Sequence, residues 1–263
     1  MIFDSNTYLG HYPFRKTYYR TAFQLRDYLK GNGIDRAIVS SMPAVFYRDC
    51  MEGNLELLEE ISGMQDFFEP AAVINPTYPG WQKDMERLHE QYGVRVVKLF
   101  PYAHNYFLTD SQAVKCLKFA GDLKMVVSLP ASIENPLQRH CLDANRFICE
   151  EELVGAASMA PDTTFILHNS SAFLYAKAER AAGLKRKGKI LYDFSRVDEI
   201  AQDTLTQTVE AVGEDRIIFG SGAPLTYVDT QLVKIWFMQR RGDSQDCLEG
   251  YTHKNLEAVL EGK

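Results

Sequence analysis

A few short stretches of the chain carry side chains that could move protons or grip a polar ligand. In VVKLF, Lys98 interrupts an apolar run. A strand sends alternate side chains to opposite faces, so an inward Lys98 would lose its water and its pKa would fall. Such an amine serves as a base or an electrostatic anchor, or else forms a structural pair with Asp4 or Asp193. His168, which closes TTFILH, can act as general acid or base near neutral pH. Asp193 in YDFS could orient that base or pair with Lys98; a structural role is the simpler reading. In PYAHNY, His104 stands between Tyr102 and Tyr106, where a loop would touch substrate, unless it is a plain surface histidine. Arg15 in HYPFRK and Arg48 in FYRD have the planar fork that clamps a carboxylate in two places. Either would be worth little as a rim ion pair. The chain also opens with a dense polar run, DSNTY, in which Asp4, Asn6 and Tyr8 alternate.

The elements that must position these residues are short apolar, β-branched runs separated by helix-period segments. Strands are expected at Met1–Asp4, Arg36–Ser41, Ala71–Asn75, Val94–Phe100, Lys124–Leu129, Thr164–His168, Ile190–Phe194 and Arg216–Ser221. Runs such as AIVS, RVVKLF, MVVSL and RIIFG are nearly continuous in apolar residues, as parallel strands buried on both faces are. Between them, GWQKDMERLHEQYG ends at Gly93, a suitable C-cap, and QAVKCLKFAGDL spaces Leu117 and Ala120 from Ala113 and Val114. Eight strand–helix units predict a single (β/α)8 TIM-barrel domain over residues 1–263. A doubly wound open sheet fits the same alternation, but its usual Gly-rich first turn has no counterpart in DSNTYLG. In a barrel the site lies where the C-terminal strand ends converge. Here those ends read DSNTY, SSMP, INPTYPGW, KLFPYAHNY, SLPAS, LHNSS, YDFS and GSGAPLTY, which puts the polar and aromatic side chains at one mouth.

Composition excludes other classes. With 46% hydrophobic residues, 24% charged residues and a net charge of −6, the chain is ordinary globular material and a poor match for a phosphate backbone. The cluster Lys185, Arg186, Lys187 and Lys189 reads as a solvated helix end. No apolar run reaches the roughly 20 residues that span a bilayer, and no leader pattern opens the chain. Five scattered cysteines, none in a Cys-x-x-Cys pair, predict reduced thiols in a cytoplasm, with neither a disulfide framework nor a structural zinc site.

Taken in order, FDSNTYLG, GIDRAIVSS, AVINPTYPGW, YGVRVVKLFPYAHNY, LKMVVSLP, TTFILHNSS, ILYDFS and EDRIIFGSGAP resemble the amidohydrolase-related family of metal-dependent (β/α)8 hydrolases and decarboxylases. That resemblance covers nearly the whole chain. It implies a divalent metal held by Asp-x-His-x-His on the first strand, a His ending the fifth, a His ending the sixth and an Asp on the eighth. At the matching positions this chain has Asn6, Tyr8, Ser128, His168 and Gly222, so only His168 agrees. Zinc sites use nitrogen, thiolate or carboxylate donors, and the replacements are neutral oxygen groups or no side chain. The expectation is therefore no metal and no cofactor, with His11 and His104 as substitute ligands if the site were rearranged.

Two classes of function follow from the resemblance and its departures. One is a hydrolase for a small polar or carboxylated lactone, ester or amide, working without a tightly bound metal. In it Lys98 and Tyr8 would polarise the carbonyl, His168 would be the base and Asp193 would support it. Asp4, Asn6, Tyr8, Arg15, Tyr102, His104 and Ser128 would line the substrate site. The other is a non-catalytic small-molecule-binding or regulatory protein, with His168 a hydrogen-bonded relic. A weaker reading keeps the enzyme and changes the reaction to decarboxylation or another lyase step. The family resemblance also implies a homo-oligomer.

Overall fold

The computed structural model describes residues 1–134, 139–143, 146–196 and 204–262. Within them eight parallel strands pair in chain order: β1 (Phe3–Leu9), β2 (Arg36–Ser41), β3 (Phe68–Val73), β4 (Val96–Lys98), β5 (Val126–Pro130), β6 (Phe165–His168), β7 (Ile190–Asp193) and β8 (Ile217–Ile218). The last strand's exit returns to the first. Ser5 N donates to Phe219 O (3.0 Å), Gly222 N to Asn6 O (2.8 Å) and Tyr8 N to Ala223 O (2.8 Å). The sheet is thus a (β/α)8 barrel and not an open doubly wound sheet.

The helices pack outside because each presents one apolar stripe. Trp81–Tyr92 buries Trp81, Met85 and Leu88, which lie on one face of a 3.6-residue period. It stops at Gly93, in the left-handed region at φ 69°, whose N–H bonds to His89 O. Ser111–Asp122 likewise turns Ala113, Cys116, Leu117 and Ala120 inward.

Inside the barrel the side chains form three levels. The floor is apolar and takes one residue from each strand: Phe3, Ile38, Ala71, Val96, Val126, Ile166, Leu191 and Ile218. Leu256, Val259 and Leu260 of the helix Asn255–Leu260 join the same cluster. Above the floor lies a buried polar layer. Over it sits a ceiling in which Tyr8, Tyr12, Met42, Val73, Phe100, Tyr102, Ile133 and Leu225 pack together.

The strand bounds differ from expectation most at the start. The first strand continues past Asp4 to Leu9, and it carries a bulge. Asp4 pairs with Ala37 while Thr7 pairs with Val39, three steps on one strand against two on the other. Phe3 belongs to the floor and Tyr8 to the ceiling, yet an odd separation would place them on opposite faces of a regular strand. The extra residue reverses the alternation, so both face the lumen. Thr7 Oγ1 donates to Ile38 O (2.7 Å) and Ser40 Oγ to Thr7 O (3.3 Å), which pins the bulge.

All five cysteines are free thiols. Among the described residues no helix is long and apolar enough to cross a membrane. The basic cluster is only partly a solvated end: the half-buried Arg186 donates to the carbonyls of Ala157, Thr163 and Gly188.

Candidate active site

The polar layer is assembled from strand ends. Lys98, the last residue of β4, is 0% exposed. Its Nζ donates to Asn6 Oδ1 at 2.7 Å and stands 4.0 Å from the centroid of the Tyr8 ring. An amide oxygen and a ring face are therefore its direct contacts, while Asp4 and Asp193 attract it from further away. Burial outweighs that attraction and draws the Lys98 pKa down to about 7. Because the amine must face an acceptor, it fixes the Asn6 amide with Oδ1 toward Lys98. Asn6 Nδ2 and the Tyr8 hydroxyl face each other without closing a hydrogen bond.

His168 ends β6 and is 0% exposed. Its Nδ1 lies 3.1 Å from Asp193 Oδ2, and its Nε2 lies 3.0 Å from Ser128 Oγ. An ionised carboxylate only accepts, so Nδ1 carries the ring proton and Nε2 accepts from the Ser128 hydroxyl. Burial pushes the His168 pKa down against the pull of Asp193, which favours this neutral ring. Asp193 is held in turn by the N–H (3.1 Å) and hydroxyl of Ser195, both donating to Oδ1. Behind it, Lys234 from the helix Asp229–Arg241 donates to Phe194 O (2.9 Å) and Ser195 O (2.7 Å).

Asp4 closes the layer. Its Oδ1 accepts from Asn6 N (3.0 Å) and Ser221 N (2.9 Å), and Oδ2 makes no hydrogen bond. Burial first, with the nearby Asp193 charge adding to it, raises the Asp4 carboxyl to about 6. Two glycines explain why β8 brings no acid here. A Cβ on Gly220 would lie 2.8 Å from Asp193 Oδ2 and 2.9 Å from Ser5 Oγ, so a side chain there would displace the carboxylate. Gly222 adopts φ 74° while its N–H closes the barrel onto Asn6.

The ceiling adds polar atoms of its own. The Tyr102 hydroxyl, Ser132 Oγ and Ser170 Oγ are buried without hydrogen-bond partners, as is that of Tyr8. Each such group costs about 1–3 kcal/mol in a dry interior, so their gathering at one mouth marks a place for a polar ligand or ordered water.

The remaining sequence candidates are committed elsewhere. Arg15 forms an ion pair with Glu134 and donates to Leu225 O, which ties it to the rim. His104 is half-buried, its Nε2 3.0 Å from Val45 O, and partial burial lowers its pKa. Arg48 and His11 are exposed. The Cys50 thiol is pushed up to about 12 by burial, which removes it as a nucleophile. Sequence reasoning overlooked Ser195, Ser221 and Lys234. A hydroxyl two residues after Asp193 was a readable signal, whereas nothing in the helical run around Lys234 points to β7.

No protein-family model matches the sequence, and no curated protein matches it. Solved structures do. A Staphylococcus aureus protein provisionally classed as an amidohydrolase superposes with TM-score 0.74 at 14% identity, covering 99% of each chain. The 5-carboxyvanillate decarboxylase of Novosphingobium aromaticivorans, complexed with manganese and 4-hydroxy-3-methoxy-5-nitrobenzoic acid, matches at TM-score 0.72 and 15% identity, over 99% of this chain and 96% of that one. An Acinetobacter baumannii protein, provisionally a 2-pyrone-4,6-dicarboxylic acid hydrolase with citric acid bound, matches at TM-score 0.68 and 15% identity over 99% of both. At such identities the likeness defines a shared barrel and leaves the chemistry to the residues of this chain.

Proposed function

We propose that this barrel is a hydrolase of the divergent amidohydrolase type, acting on a small carboxylated ester or lactone through its own side chains. One observation carries the reading: His168, fully buried, is held at Nδ1 by Asp193 and presents Nε2 to a hydroxyl. That is the arrangement of an oriented general base. Lys98 and the Asn6 amide stand by as the cationic and hydrogen-bonding groups that a developing oxyanion requires.

The donor set does not fit a divalent metal. Among the described residues no group of three or more His, Cys, Asp or Glu is placed to hold one. Both ring nitrogens of His168 are engaged, and Lys98 already occupies Asn6 Oδ1. The reaction is therefore assigned to the side chains alone.

The test is a panel of small esters, lactones and amides, with and without a carboxylate, offered to enzyme dialysed against a strong chelator. Turnover within twofold of the undialysed enzyme is expected. Turnover lost on chelation and restored by zinc or manganese would overturn the reading.

A second reading, decarboxylation, draws on the Asp4 carboxyl, raised to about 6 and hence able to protonate a carbanion. It also draws on the decarboxylase among the structural neighbours. Carbon dioxide release from hydroxybenzoates, with no ester hydrolysis, would select it.

A further inference from the structure

A hydrolase with an oriented histidine still needs a nucleophile, and the geometry points to Ser128: we infer that its Oγ attacks the substrate carbonyl and carries the acyl group as a covalent intermediate. This inference rests on the hydrolase reading above and adds the identity of the attacking atom.

The first ground is the proton path. Asp193 Oδ2, His168 Nδ1, His168 Nε2 and Ser128 Oγ form one line of hydrogen bonds at 3.1 and 3.0 Å, and all three residues are at most 1% exposed. The ring has one lone pair available, at Nε2, and the Ser128 hydroxyl already donates to it. A water molecule could use His168 as its base only after displacing that hydroxyl. Serine, histidine and carboxylate sets of this kind are recognised by geometry and role, not by their order along a chain. Here the order is Ser128, His168, Asp193, on three successive strands.

The second ground is the group opposite. Lys98 and Ser128 are register partners on β4 and β5, so the amine and the hydroxyl enter the lumen side by side. Asn6 Nδ2, buried and without a partner, is turned the other way from Lys98 by the bond to Oδ1. It faces the Tyr8 hydroxyl without closing a hydrogen bond, so an oxyanion between them would give both groups a partner.

The steps balance with water as the only co-reactant. Ser128 Oγ–H gives its proton to His168 Nε2 as the Oγ–C bond forms, and the carbonyl electron pair moves to the oxyanion. Collapse breaks the ester C–O bond, and the leaving alkoxide takes the proton from Nε2. Water then adds to the acyl carbon, losing its proton to Nε2, and Ser128 Oγ leaves and recovers a proton. The products are an acid and an alcohol, or one hydroxy acid from a lactone.

The experiment uses the full chain and p-nitrophenyl acetate, a small activated ester. Rapid mixing should give a burst of about one nitrophenolate per chain, and acid quenching followed by peptide mapping should place the acetyl group on Ser128. Ser128→Ala should lower turnover about 1,000-fold or more, and Asp193→Asn should lower kcat far more than it raises KM. The wild-type mapping needs no variant to fold. Turnover by Ser128→Ala within threefold of wild type, or an acetyl group on another residue during turnover, would overturn the assignment and leave the hydrolase reading standing. No hydrolysis of this ester or of any panel compound would remove both.

Discussion

Val126 and Ser128 are neighbours on the same face of one strand, and the same is true of Val96 with Lys98, Ile166 with His168 and Leu191 with Asp193. In every pair the first residue belongs to the apolar floor and the second to the polar layer. A rise of about 6–7 Å along the strand separates two ways of filling a barrel. The floor is held by packing between chemically interchangeable side chains. The layer is held by directed hydrogen bonds, several of which remain unmade. Strand geometry is common to both, so it is the residue at each position that separates an apolar region from a polar one.

Substitutions along a single strand break this comparison most sharply. His168→Ala should cut turnover by about 1,000-fold or more, since it removes the proposed base and strands Asp193; steady-state kinetics on the best panel substrate would register it. Its floor neighbour should behave oppositely. Ile166→Ala should cost about 2–5 kcal/mol in chemical denaturation and leave kcat of the folded fraction within a few-fold.

Lys98 sharpens the contrast through pH. Its pKa falls from 10.5 to about 7 on folding, so between those values the unfolded chain binds more protons. Stability contributed by this group is therefore lowest below pH 7 and rises as pH increases through the window. Lys98→Met should abolish that rise, on the order of 3 kcal/mol between pH 7 and 10 in urea titrations compared with wild type. The smallest effect belongs to the outermost support. Lys234→Met should lower kcat about tenfold with KM nearly unchanged, because the Phe194 and Ser195 carbonyls beside Asp193 lose their donor while the substrate site keeps its lining.

Much of this arrangement was legible in the sequence. The apolar runs announced buried parallel strands, and Gly93 marked the helix end before β4 as expected. Lys98, His168 and Asp193 were readable because a polar group inside or at the end of such a run must face either the lumen or the helices. The linkage between them was not. Ser128 reads only as a substrate-lining hydroxyl until β6 pairs with β5 and brings Nε2 against it. The contact between Lys98 and Asn6 was also hidden, since nothing local reports a one-residue bulge. Nor does the absence of an acid at Gly222 explain itself without its left-handed φ of 74° and the approach of Thr226 Oγ1.

The bulge in β1 has a consequence best put as a matter of phase. Residues before it are read in one phase of the alternation and residues after it in the other, and the shift falls between Asp4 and Thr7. Shortening that segment by one residue would leave Phe3 in the floor but rotate the downstream half of the strand by a half-period. Tyr8 would then point at the helices, and its ring would no longer lie under the Lys98 amine. A single deletion there would displace Asn6 and Tyr8 together while leaving Lys98, Ser128, His168 and Asp193 on their own strands.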